Sequence, residues 1–298
     1  MIVLWVGIAA LAQLINAGIV LVDKYVLASA GQVGKPAVYA FYVSILSGVV
    51  VVLVPFGVVS PPSLAVIGLS LAASFTYILS ILALYRALKY GNASDSVPIV
   101  GAVSAVTAAA LAHVLIANDL PLAFAPAVAL LVVGTFLMSH LRFTLASLAF
   151  VIASGIFFGA SAVIIKLIFM ETDFIDGFFW SRMTNVIGAL ILLSIPGNRE
   201  AIFAGYRGAS RGLKWLVVSN KAMGGAAFAL ILFAISIGSV SVVNAMSGLQ
   251  FVFLLAFAYF GARFFPRVFH GEIHPHRFPH KLYGIVCIVL GLAALFIA

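Results

Sequence analysis

The chain has 298 residues, of which 64% are hydrophobic and only 8% charged, and its mean hydropathy is +1.25. A soluble domain carries roughly 25% charged residues, so the composition excludes an ordinary globular domain and indicates a polytopic membrane protein. The net charge of +8 is not a nucleic-acid signal, because the basic residues sit in short stretches between apolar runs, where membrane topology accounts for them.

Residues 2–22 are uncharged and have no basic segment before them, so they read as a first transmembrane helix rather than a leader peptide. Nine further apolar runs follow near 36–57, 63–88, 92–117, 121–139, 146–170, 175–196, 213–236, 240–265 and 281–298. Each approaches the roughly 20 residues that a membrane helix needs. Pro36, Pro55, Pro61, Pro62, Pro121 and Pro196 mark run ends, where a missing amide hydrogen is tolerated. Continuous apolar runs also argue against a barrel, whose strands alternate. The lone cysteine, Cys287, lies in the last run and forms no disulfide framework.

Sliding the chain so that Ala87 falls on Ala234 also brings Gly91, Ser94 and Gly101 onto Gly238, Ser241 and Gly248. Both stretches end one apolar helix, turn tightly through Gly and Ser, and start another. Lys24 and Lys166 close the first and sixth runs, and Pro55 and Pro196 close the second and seventh. Gly134 in the fifth run sits like Gly291 in the tenth. The expected fold is therefore an all-α polytopic membrane protein of ten transmembrane helices, arranged as two five-helix repeats over 1–141 and 142–298. An odd number of spans inverts the second copy, an architecture that recurs among transporters.

Apart from Lys166, Arg182 and Lys221, every Lys and Arg belongs to the odd-numbered connections or their flanks. The even-numbered ones carry Asp119, Glu171, Asp173 and Asp176. The positive-inside rule then makes the odd connections cytoplasmic and turns both termini outward.

The turn-forming Ala87-Leu88-Lys89-Tyr90 with Asn92-Ala93-Ser94, the Gly238-Ser239-Val240-Ser241 turn, and the helix-terminal Lys24 and Lys166 resemble the drug/metabolite transporter superfamily in its ten-helix EamA-type branch. That resemblance implies a secondary carrier in the cell (inner or plasma) membrane, with a central cavity between inverted repeats. It would export or exchange a small organic metabolite such as an amino acid or organic anion. The alternatives are a multidrug or lipid-linked substrate transporter or flippase and, outside transport, a scaffold or receptor. An enzyme is not expected, since the chain has no HExxH, no GxSxG and no paired aspartates within spans.

Arg182 and Lys221 lie about two turns inside their spans and could bind a carboxylate or phosphate; arginine suits this through its bidentate fork. The plainer alternatives are snorkelling or a structural pair with Asp173 or Asp176. Asp23 and Lys24 read as structural residues at a loop edge. Neutral polar residues three apart share helix faces: Gln13 and Asn16, Ser104 and Thr107, Arg182 and Asn185, and the stripe Asn244, Ser247 and Gln250. Each face can line a cavity or join helices; Asn16 and the last stripe are the favoured cavity candidates. Tyr77, Tyr85 and Trp180 could stack on substrate. The expected substrate-binding set is Asn16, Tyr77, Trp180, Arg182, Asn185, Lys221, Asn244, Ser247 and Gln250.

Asp95, at the start of the fourth run, is a candidate for coupling, although capping is the commoner role for a helix-start aspartate. The tract His270–His280 contains four histidines and Glu272, yet Pro275 and Pro279 interrupt it, so a basic loop is expected rather than a metal site. No cofactor is expected. The expected partners are a small-molecule substrate, the lipid bilayer and a coupling proton or counter-substrate, with no nucleic acid, in a monomer or weak dimer.

Overall fold

A backbone that meets lipid must satisfy its hydrogen bonds within its own segment, so apolar runs of this length wind into helices. The structure, a computed structural model, describes residues 2–29, 35–90, 93–116, 122–138, 145–264 and 278–297. In chain order the helices are α1 (Ile2–Ser29), α2 (Pro36–Leu46), α3 (Leu64–Tyr90), α4 (Ala93–Leu115), α5 (Ala125–Leu137), α6 (Leu145–Glu171), α7 (Phe174–Ser194), α8 (Pro196–Gly208), α9 (Arg211–Ile237), α10 (Val240–Ala245), α11 (Ser247–Phe264) and α12 (Phe278–Ile297). The 3-10 segment Ser47–Phe56 continues α2, and a second one, Leu122–Phe124, leads into α5. Among the described residues there is no strand, and eight helical spans are long and apolar enough to cross a bilayer. The protein is an all-helical, polytopic membrane protein.

Four features depart from the sequence reading. The fifth run yields a shorter apolar helix, Ala125–Leu137, whereas the tenth lies in the 20-residue α12. At 1.5 Å per residue, α5 covers about 20 Å, short of the roughly 30 Å hydrocarbon core, because Pro126 holds its first turn and a 3-10 turn precedes it. The second span changes from α to 3-10 geometry at Ser47, in a segment of consecutive valines whose branched side chains suit the α-helix poorly. The connection 197–212, expected as a loop, contains α8; Pro196 opens it, and Ala201, Ile202 and Gly205 are buried. The ninth run is divided at Met246 into α10 and α11. Pro98 lies near the corresponding register of α4, which runs on through it.

Close packing is strongest where glycine lets backbones meet. A Cβ on Gly155 would lie 2.6 Å from Val103 Cβ, and one on Gly159 2.5 Å from the Ser104 carbonyl, so α6 rides directly on α4. Gly134 and Gly284 each face the other's carbonyl at 2.8 Å from a built Cβ, and Gly291 sits against Ala127 in the same way. This fuses α5 to α12. Along other seams α3 packs on α6 and α7, α1 on α9 and α11, α2 on α7, and α10 on α4. The outside is apolar: Val49, Val52, Phe56, Leu64, Leu145 and Ile191 are all exposed, as a lipid-facing surface requires.

Two lysines close helix ends. Lys24 Nζ donates to the Leu88 carbonyl at 3.0 Å, at the end of α3. Lys166 Nζ donates to Ile235, Ser236 and Gly238 carbonyls at 2.8, 3.2 and 3.0 Å, at the end of α9. An ammonium there meets orphan carbonyls and the negative end of the helix dipole.

Candidate functional site

Each polar side chain that the helices carry into the apolar interior must find a partner or pay for desolvation. Arg182 is the extreme case. It lies in α7, is only 6% exposed, and its guanidinium sits over Phe228 of α9 at 4.3 Å and Tyr77 of α3 at 5.3 Å. Its Nε has no hydrogen-bond partner, and no carboxylate pairs with it among the described residues. Asn185, one turn further along α7, is fully buried with both amide atoms unpartnered. Other groups fasten the helix itself: Ser47 Oγ donates to the Arg182 carbonyl at 3.1 Å, and Thr184 Oγ1 to the Ser70 carbonyl at 2.9 Å. Arg182 is therefore held in place with its Nε unpartnered while the rest of its guanidinium meets Tyr77, and Asn185 with its whole amide unpartnered.

The expected structural partners of Arg182 do other work. Asp173 caps α7, accepting from the Asp176 amide at 2.9 Å. Asp176 accepts the Ser60 amide at 2.8 Å, while Trp180 Nε1 donates to the Ser60 carbonyl at 3.1 Å. These two side chains clasp the connection between the second span and α3, so the Trp180 indole hydrogen is spent on protein backbone rather than aimed at Arg182.

A second constellation joins α1 to α9. Asp23 is 6% exposed inside α1, which runs on to Ser29; it is not the loop-edge residue expected from the sequence. Its Oδ1 accepts from Lys221 Nζ at 2.6 Å, Asn220 Nδ2 at 2.7 Å and Tyr39 Oη at 2.5 Å. Lys221 also lies over the Tyr39 ring at 4.6 Å and the Tyr85 ring at 5.9 Å. Asp23, not Asp173 or Asp176, is the partner of the α9 lysine.

The remaining candidates divide. Tyr77 belongs to the Arg182 group and meets the rings of Phe158 and Phe228 at 6.1 and 5.9 Å. Asn16 is half-buried on α1, two turns before Asp23. Asn244 bridges α4 and α10, accepting from Ser104 Oγ at 3.2 Å and donating to its own helix at Val240. Ser247 Oγ is buried without a partner, and Gln250 is buried beside it on α11. Asp95 falls in the first turn of α4. The segment 265–277, with most of the histidine tract, lies outside the described residues; among those that are described, no group of His, Cys, Asp and Glu could hold a metal.

Sequence reasoning missed Asp23, Tyr39, Asn220 and Phe228 as members of these groups. A signal existed for two of them: Asp23 follows Asn16 by seven residues, and Phe228 follows Lys221 by seven, a spacing that returns to the same helix face. Two prominent cavities lie elsewhere. One of about 450 Å³ is lined by Lys35, Arg86, Phe150 and Asn198, and an apolar one of about 340 Å³ lies between α4 and α5. Neither includes Arg182 or Lys221, and the helices close over both polar groups.

No family model and no curated protein matches the chain. The fold has solved counterparts. One crystal structure aligns over 97% of this chain and 98% of its own length with a TM-score of 0.62 at 16% identity. That likeness is one of fold, over essentially the whole of both chains.

Proposed function

We propose that the protein is a secondary carrier, not an enzyme, that moves a small organic anion or zwitterion across the cell membrane by alternating access. The observation that carries this reading is Arg182, a buried cation over two aromatic rings with no anionic partner among the described residues. An isolated charge in a membrane interior is costly and marks a substrate or ion path by default. A bound carboxylate would pair with the guanidinium and with the idle Asn185 amide.

The ten apolar helical segments act in this reading as two inverted five-helix repeats, 1–141 and 142–298, of the EamA type. Its support is the paired roles across the two halves: Lys24 closes α3 as Lys166 closes α9, and α3 packs on α6 as α9 packs on α1. The basic connections then face the cytoplasm. Of the expected binding set, Tyr77, Arg182, Asn185 and Lys221 form the core of the site. Asn16, Ser247 and Gln250 stand further out, while Asn244 and Trp180 serve mainly as structural ties.

Ligand-induced thermal stabilisation of the purified protein tests the reading, because a ligand selective for the folded state must raise its stability. Monocarboxylates or phosphorylated metabolites should stabilise the wild type and leave Arg182→Ala unmoved. Stabilisation by cationic aromatics alone, equal in both proteins, would replace this reading with a multidrug one.

A further inference from the structure

Two cations, Arg182 and Lys221, share the gap between α3 and α9, and Asp23 is the one carboxylate joined to either of them among the described residues. Two independent rulers give the spacing of the cations. Arg182 touches Phe228, which follows Lys221 by seven residues on α9; it also touches Tyr77, eight residues before the Tyr85 that Lys221 approaches on α3. At 1.5 Å per residue both intervals come to about 10–12 Å.

The bonds around Asp23 are unequal in what they leave behind. Tyr39 Oη and Asn220 Nδ2 are neutral donors that stay on Oδ1 if Lys221 departs. Lys221 in turn keeps a seat over the Tyr39 and Tyr85 rings, where cation–π attraction helps to hold the ammonium while one anion replaces another. Exchange of Asp23 for a ligand anion at Lys221 therefore leaves every group partnered. The opposite exchange, a ligand cation at Asp23, strands the lysine on aromatic faces alone.

We propose, resting on the anion-carrier reading above, that Lys221 is a second anion anchor held in reserve by Asp23. The preferred ligand is then an elongated dianion, with one acidic group on Arg182 and the other displacing Asp23 from Lys221. Asp23 is a positioning residue that sets how readily this second anchor is released.

The test uses the full chain in detergent and a ladder of α,ω-dicarboxylates from succinate to dodecanedioate, each compared with the monocarboxylate of equal carbon number. Binding should peak at the diacid whose carboxylates lie about 10 Å apart, at least tenfold tighter than its monocarboxylate (about 1.4 kcal/mol). Lys221→Gln should reduce that peak to the level of the monocarboxylate measured on the same variant. Asp23→Asn should tighten diacid binding several-fold, because Lys221 loses its competitor. The neutral pair Asp23→Asn with Lys221→Gln, which carries no orphan charge, should fold and also lack the peak.

Diacid binding that rises smoothly with chain length, survives Lys221→Gln, or falls in folded Asp23→Asn overturns the dianion proposal. Monocarboxylate binding that is still lost in Arg182→Gln would then leave the carrier reading standing. Failure of both acid series to bind the wild type removes both.

Discussion

Two seams hold helices together in opposite ways. Between α5 and α12 the contact is backbone on backbone: Gly134, Gly284 and Gly291 leave no room for even one added carbon. Between α1 and α9 the ties are polar, built on Asp23, Asn220 and Lys221, and a Cβ on Gly224 would make only an ordinary contact with Ile19, at 3.8 Å. Lipid gives helices no hydrophobic reason to associate, so close packing and hydrogen bonds must supply the attraction. A seam of the first kind is fixed by shape over many atoms. A seam of the second kind depends on a few bonds that a competing charge can replace. The carrier reading places movement at the second seam and permanence at the first.

Substitutions can break this contrast, and the largest effect is expected at the polar seam. Asp23→Ala leaves Lys221 buried without its anion and should cost about 3–5 kcal/mol, read as a lowered denaturation midpoint in detergent. Replacing both partners with apolar residues should recover most of the loss; a double mutant as unstable as the single would mean that the pair does more than cancel charge. At the glycine seam, Gly134→Val must push into the Gly284 carbonyl and Ile288, and should cost about 1–3 kcal/mol without altering ligand response. Arg182→Met should do the reverse, raising stability by about 1–3 kcal/mol as an uncompensated polar group leaves the interior and abolishing the response to anions. A drop in stability would show that Arg182 is already satisfied. Gly224→Ala should change stability by no more than about 0.5 kcal/mol, since its Cβ would make only an ordinary contact with Ile19; a larger loss would mean that the seam is tighter than its geometry.

These groups were unequally visible in the sequence. The spans were legible because membrane helices must be long and apolar, and prolines punctuate them. Arg182 with Asn185 was legible because two residues three apart must share a face wherever the helix lies. Asp23 with Lys221 was not, because the partners are separated by 198 positions in the chain and no local rule joins them. Proximity to a run end made Asp23 look like a boundary residue, whereas α1 extends beyond the apolar run to Ser29. The amphipathic α8 was hidden for a related reason: its few apolar residues cover one narrow face, and its charges match those of a loop.

The clasp on Ser60 has a practical consequence. Trp180 is tied by its indole N–H to that connection and stands two residues from Arg182. The other two tryptophans lie in different surroundings: Trp5 is buried against Gly238, and Trp215 is 64% exposed on α9. With Trp5 and Trp215 replaced by phenylalanine, emission from the remaining indole becomes a built-in optical gauge of the first turns of α7. Its colour and its quenching by acrylamide then follow that region as ligand arrives, without any attached dye.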